Sequence, residues 1–186
     1  MWVRGSGPRK GRVAFEAATV ETAMPSPDLA VIEALRTSPI GRGLSAEQSQ
    51  VLAGLVSLQS SQRGDVLGQE GAVDDRLLAI VDGSIAVVRH RGTPDETLLA
   101  TLHAGDLAHE LGFLDGTPRN FSLVAAEPAR VLVLTRGALE SLVDSHPRIL
   151  YEVMCAIVRA VHRVQARLSM QAIELTNYVF KQHGRY

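Results

Sequence analysis

The chain has 186 residues, 46% of them hydrophobic, which is enough for one ordinary domain with a real core and excludes a wholly disordered chain. Lys and Arg number 19 against 20 Asp and Glu, a formal charge of −1, so the chain as a whole is not a polyanion binder. The charge is unevenly spread: residues 1–12 carry four basic residues and no acid, residues 148–186 carry six against Glu152 and Glu174, and residues 13–147 hold 9 basic and 18 acidic residues, so any nucleic-acid contact would have to use the ends.

Residues 1–26 mix Gly, Ser, Pro, Arg and Ala without sustained periodicity and read as a flexible tail, within which Met24 is a candidate natural start. Leu29, Ile32 and Leu35 then recur at helical spacing, with Gly41 and Gly43 marking the end. A second short helix follows, with Ser45 as N-cap, Gln48 three residues on as in a capping box, and Val51, Leu52 and Leu55 as its apolar stripe.

From Gln59 to about Leu134 the period changes. Short Val, Ile and Leu runs separated by turn signals about ten residues apart describe an all-β sandwich, roll or barrel, with strands near 65–67, 77–81, 84–91, 97–102, 119–125 and 128–134. Asp82-Gly83 between two apolar runs signals a tight hairpin, because such a turn wants φ > 0 at its centre.

The helical period returns after Thr135 as a short helix around 136–144 and then a long one with Pro147 in its first turn, where a missing N–H costs nothing. In the long helix Leu150, Met154, Ile157, Val161, Val164, Leu168, Gln171 and Leu175 alternate spacings of four and three, a coiled-coil seam that would pair with its copy in a second chain. The other reading is that this face packs on the β-domain of its own chain. Arg159, Arg163 and Arg167 line a solvated helix face. The domain plan is thus a tail over 1–26, an all-β domain with flanking helices over 27–147, and a long helix with an end segment over 148–186.

The stretch Gly105 to Ser122 is unlike a plain strand–turn–strand, since Glu110 and Arg119 stand nine residues apart in apolar surroundings. Residues 109–114 can form one short helical turn whose free N–H groups attract an anion, and Arg119, opening the next strand, can grip two phosphate oxygens. Glu110 is then wrong for a phosphate and right for a sugar, because a carboxylate accepts the hydrogen bond of a ribose hydroxyl.

At these residues the sequence resembles the cyclic nucleotide-binding domain family, which includes the catabolite-activator (Crp/Fnr) regulators, the regulatory subunits of the cyclic-AMP-dependent kinase and cyclic-nucleotide-gated channels. The family cassette reads approximately Phe-Gly-Glu-Leu-Ala-Leu, a short loop, then Pro-Arg-Ala/Ser/Thr-Ala. Here it stands as Ala108-His109-Glu110-Leu111-Gly112-Phe113, the loop, then Pro118-Arg119-Asn120-Phe121. Gly64-Asp65-Val66-Leu67, Gly71, Leu77 to Gly83 and Leu99 to Asp106 supply the supporting pattern, so the resemblance covers about residues 28–170.

The resemblance implies an α+β, mainly β fold: an eight-stranded β-roll or jelly roll with short N-terminal helices and a long C-terminal dimerisation helix that closes over the base. It implies cyclic AMP or cyclic GMP as ligand, with Glu110 on the ribose 2′-hydroxyl, Arg119 on the cyclic phosphate, Leu111 and Gly112 giving backbone N–H groups, and Asn120 touching the phosphate. The helix residues facing the base fall near Val164 and Gln165, with Gln165 the candidate reader of the purine edge. His109 stands where the family has Gly, a residue used for close approach or φ > 0. Phe121 stands where it has Ala, and its ring either fills the core or enters the pocket.

Other chemistry is set aside. His109-Glu110 begins like a zinc-protease motif but Phe113 replaces the second His, and the six histidines show no ligand spacing. The lone Cys155 can form no internal disulfide, sits in an apolar helical pattern and has no argued base beside it, so no nucleophile and no enzyme are expected. No apolar run approaches the roughly 20 residues that span a bilayer, and with Cys155 this points to a cytoplasmic protein with no membrane contact. Only 11 residues follow Leu175, too few for the helix-turn-helix of a Crp/Fnr regulator, so no direct DNA binding is expected. The expectation is a homodimeric sensor that signals through its C-terminal helix to an unknown downstream protein, with no further cofactor. The alternatives are a ligand-independent dimerisation or scaffold module with a degenerate pocket, and a Crp/Fnr-type transcription regulator lacking its own DNA-binding domain.

Overall fold

The computed structural model describes residues 28–183, with side chains of the last helix described to residue 174 except at 168, 171 and 172. The expected tail over 1–26 and the candidate start at Met24 lie outside the described residues. Asp28 caps α1 (Leu29–Thr37) by accepting from Ala30 N at 2.9 Å. In α2 (Ala46–Ala53) the capping box is formed: Ser45 Oγ accepts from Gln48 N at 3.2 Å, and Gln48 Oε1 accepts from Ser45 N at 2.9 Å.

Eight strands follow: β1 (Val56–Ser61), β2 (Val66–Gly68), β3 (Arg76–Asp82), β4 (Ser84–Arg89), β5 (Thr97–His103), β6 (Leu107–Ala108), β7 (Ser122–Ala125) and β8 (Ala129–Thr135). They form two antiparallel sheets of order β1-β8-β3-β6 and β2-β7-β4-β5, the β-roll that the cassette resemblance implies. Asp82-Gly83 does not close a hairpin. Gly83 has the expected positive φ of 77°, but β3 pairs with β8 and β6 while β4 pairs with β5 and β7, so the turn is a corner carrying the chain from one sheet to the other. Local turn chemistry fixed the backbone; pairing was decided by which faces could be buried.

Those faces form two cores. Leu78 and Ile80 of β3 meet Val131 and Val133 of β8, Ile85 and Val87 of β4 and Leu123 of β7 inside the roll. Leu77 and Ala79 of β3 and Leu132 and Leu134 of β8 point the other way, into a cluster made with the helices. Burial on both faces accounts for the unbroken apolar runs of these two strands, which alternation alone would not give.

The helices of the second half are α3 (Glu110–Asp115), α4 (Arg136–Glu140), α5 (Leu142–Ser145) and α6 (Pro147–His183). The single helix expected at 136–144 is thus two short ones joined at Ser141. In α6, Ile149, Val153, Ala156, Ile157 and Ala160 are buried against α1, α2, α5 and the outer face of the first sheet. The expected seam therefore divides. Ile157 is buried in the core of this chain, Leu150 and Met154 pack half-buried against it, Val161 is half-buried and Val164 is exposed; the side chains of Leu168, Gln171 and Leu175 lie outside the described residues. From His162 to Glu174 every described side chain is exposed, so α6 leaves the hydrophobic cluster after Ala160.

Candidate functional site

The chain enters the site from β6 into α3. His109, the N-cap of α3, has φ 66° and ψ 28°, the left-handed conformation that favours glycine and explains a Gly at this place in the family pattern. The imidazole does not project freely. Its Nε2 lies 3.0 Å from the carbonyl oxygen of Asp74, and a Cβ on Gly112 would stand 2.1 Å from its Cε1. The ring fills the place of the family's Ala methyl, and Gly112 makes room for it. The pair Gly/Ala has become His/Gly.

Arg119 does not open a strand; it lies three residues ahead of β7, held by its N–H donating to Ala72 O at 2.9 Å and its carbonyl accepting from Gly71 N at 2.7 Å. Its side chain is 0% exposed. Nε and Nη2 donate to Asp74 Oδ2 at 3.2 and 2.9 Å, and Arg76 donates to both oxygens of the same carboxylate at 2.8 and 2.7 Å. Nη1 of Arg119 is buried with no partner among the described residues. Gly68 lies flush on this guanidinium, since a Cβ there would stand 2.7 Å from Cζ. Burial pushes the Asp74 carboxyl up, but hydrogen bonds from Arg76 and Arg119 outweigh it and hold it well below the usual carboxylate range. Burial also draws Arg119 down from its ordinary value, against the support of Asp74. Asp74 was not singled out in the sequence; the one signal for it was Asp74-Asp75 breaking an apolar approach to a strand.

Two cavities adjoin in this region. One, of about 240 Å³, is lined by residues 109–112 of the cassette together with Asp115 and residues 117–121, so Arg119, Leu111, Gly112 and Asn120 all border it. The other, of about 280 Å³, is mainly apolar, walled by Val87, Leu99, Leu102 and Leu107 of the roll and by Val164 and Arg167 of α6. His109, Glu110 and Phe121 line both. Together the cavities reach the volume typical of small-molecule sites, about 300–1,000 Å³. Phe121 is half-buried and packs on the roll interior, so its ring both fills core and borders the pocket. Glu110 is half-buried; burial raises its pKa, while the charge of Arg163 on α6 pulls it down.

Seven residues were singled out. Glu110, Arg119, Leu111, Gly112, Asn120 and His109 are brought together here. Gln165 is not: it is exposed and lines neither cavity, because the helix turns Val164 and Arg167 to that side instead. Among the described residues no group of three or more His, Cys, Asp or Glu could hold a metal ion, and no helix is long and apolar enough to cross a membrane.

Comparison with known proteins agrees with this geometry. The model of the cyclic nucleotide-binding domain matches residues 58–146. A CRP-like cAMP-activated global transcriptional regulator of Mycobacterium tuberculosis is 28% identical over 107 residues, covering 58% of this chain and 48% of the relative. The chain thus matches about half the length of that curated relative. Among solved structures, a cyclic nucleotide-binding domain from Methylobacillus flagellatus KT superposes with a TM-score of 0.69 at 24% identity, covering 79% of this chain and 84% of that one. The N-terminal domain of a transcriptional regulator from Streptomyces coelicolor A3(2) gives 0.58 at 28% identity, covering 73% and 94%. Residues 58–146, which carry most of the roll, the cassette and the buried arginine, match the cyclic nucleotide-binding domain family, and the fold is that of a solved cyclic nucleotide-binding domain.

Proposed function

We propose that the protein is a cytoplasmic regulatory sensor that binds cyclic AMP or cyclic GMP in the roll and signals to a downstream protein through a dimeric α6. The observation that carries this reading is Arg119: a guanidinium shielded from water, with one N–H-bearing nitrogen lacking a partner among the described residues, in the wall of the cavity that Glu110 also lines. A buried donor without a partner is costly, and a phosphate oxygen satisfies it. Glu110 receives the ribose 2′-hydroxyl, Leu111 and Gly112 offer backbone N–H groups, Asn120 touches the phosphate, and the base occupies the apolar cavity under Val164 and Arg167. Contacts to both the roll and α6 supply the differential affinity that a shift between two states requires.

Isothermal titration with each nucleotide tests this. Binding of at least one is expected, and no heat from either at sub-millimolar concentration would remove the proposal. Glu110→Gln should lower affinity about 10-fold or more, the loss of a hydrogen bond to a charged group. Arg119→Ala should abolish binding, with a thermal melt run in parallel because its partner Asp74 keeps Arg76. Unchanged affinity in both variants would place the ligand elsewhere.

A second reading is favoured by a separate observation. Arg119 is already paired with Asp74, and Phe121 stands where the two cavities meet, as a ligand-independent dimerisation module would need. Failure of both nucleotides to bind a well-folded dimer would establish it.

A further inference from the structure

His109 lines the same cavity as Arg119, and the hydrogen bonding of its imidazole fixes which nitrogen carries the proton. The carbonyl of Asp74 can only accept, so Nε2 is the N–H donor across the 3.0 Å contact. The Cε1 edge is turned to Gly112. The other nitrogen, Nδ1, carries a lone pair while the ring is neutral. A lone pair repels a phosphate oxygen; an Nδ1–H attracts it.

We infer that His109 is a second, proton-dependent donor to the ligand's phosphate, so that cyclic nucleotide binding takes up a proton on this ring. The inference rests on the sensor reading above and adds a residue that the family pattern lacks. The groups facing the ring are Asp74 from the segment before β3, Arg119 from the approach to β7, and Asp115 from the far end of α3. In the free protein, burial and the charge of Arg119 hold its pKa below the ordinary 6.5, against the pull of Asp74 and Asp115, so at neutral pH the ring is uncharged. A phosphate anion beside it reverses the balance, because an opposite charge within about 4–6 Å raises a cationic group's pKa. The sign follows: affinity rises as pH falls through the bound-state pKa and levels off below the free-state pKa. Glu110, whose pKa is raised by burial, acts in the opposite sense and ends the gain at lower pH.

The test is titration of the full chain with cyclic AMP and cyclic GMP at pH 6 and pH 8, in two buffers of different ionisation heat, for wild type and His109→Asn. Asn is chosen because it tolerates the left-handed backbone. Wild type should bind about fivefold or more tightly at pH 6, with net proton uptake, and the variant should lose both effects while still binding. Binding with the same slope in the variant, or without proton uptake, overturns the role of His109 and leaves the sensor reading intact. No binding of either nucleotide at either pH overturns both.

Discussion

At the scale of single residues, the exchange of Gly/Ala for His/Gly at positions 109 and 112 is the feature that sets this cassette apart. The imidazole stands where a methyl at 112 would go, so the two positions are coupled. Gly112→Ala is expected to destabilise the protein by about 1–3 kcal/mol, the ordinary cost of overpacking, or to expel the ring from its contact with Asp74. Adding His109→Gly should restore much of the loss, and a double-mutant cycle read by chemical denaturation measures the coupling. Additive effects would mean that the ring relaxes freely. Most of the candidate site was legible at this scale, because Glu110 and Arg119 are charges in an apolar context. Asp74 was not, because a carboxylate 45 positions away in sequence becomes the arginine's partner only after the roll closes.

At the scale of elements, local signals fixed boundaries better than partners. The capping box of α2 and Pro147 at the start of α6 act within a few residues, and both stand where their chemistry places them. The strand β1 has no counterpart among the expected strands because Val56–Ser61 is half polar, on the edge of its sheet, and β6 has none because it is two residues long. Asp82-Gly83 shows the limit most clearly, since the same positive φ serves a hairpin or a corner. Gly83 is also packed, with a Cβ there standing 2.3 Å from the carbonyl oxygen of Pro128. Gly83→Ala is therefore expected to cost about 2 kcal/mol or more, combining left-handed strain with a backbone clash, and urea unfolding would show it as a lower midpoint with unchanged slope. The equivalent change at Gly92, with φ 78° and nothing near its Cβ, should cost only the strain.

At the scale of the whole molecule, the exposed stretch of α6 is where the proposed dimer would form. Val164, Met170 and Ile173 are exposed, and an isolated helical stretch of this length is marginal in water. The proposed homodimer predicts sedimentation at twice the chain mass, with Val164→Glu or Ile173→Glu shifting the equilibrium toward monomer while the melt of the roll changes little. A wild-type monomer at high micromolar concentration would contradict it. The regular spacing of the seam was visible in the sequence; that its first half faces the core of its own chain was not, because the same period serves either neighbour.

One helix joins the hydrophobic cluster to the cavity wall. Ala156 and Ala160 seat α6 in the hydrophobic cluster, while Val164 and Arg167, a turn further on, wall the cavity. From Val164 the helix runs on to His183, about 28 Å at 1.5 Å per residue. In the proposed sensor, a pivot of roughly 5° at Val164 would swing the far tip by about 2.5 Å, so that leverage along the helix would carry the state of the roll to a distance.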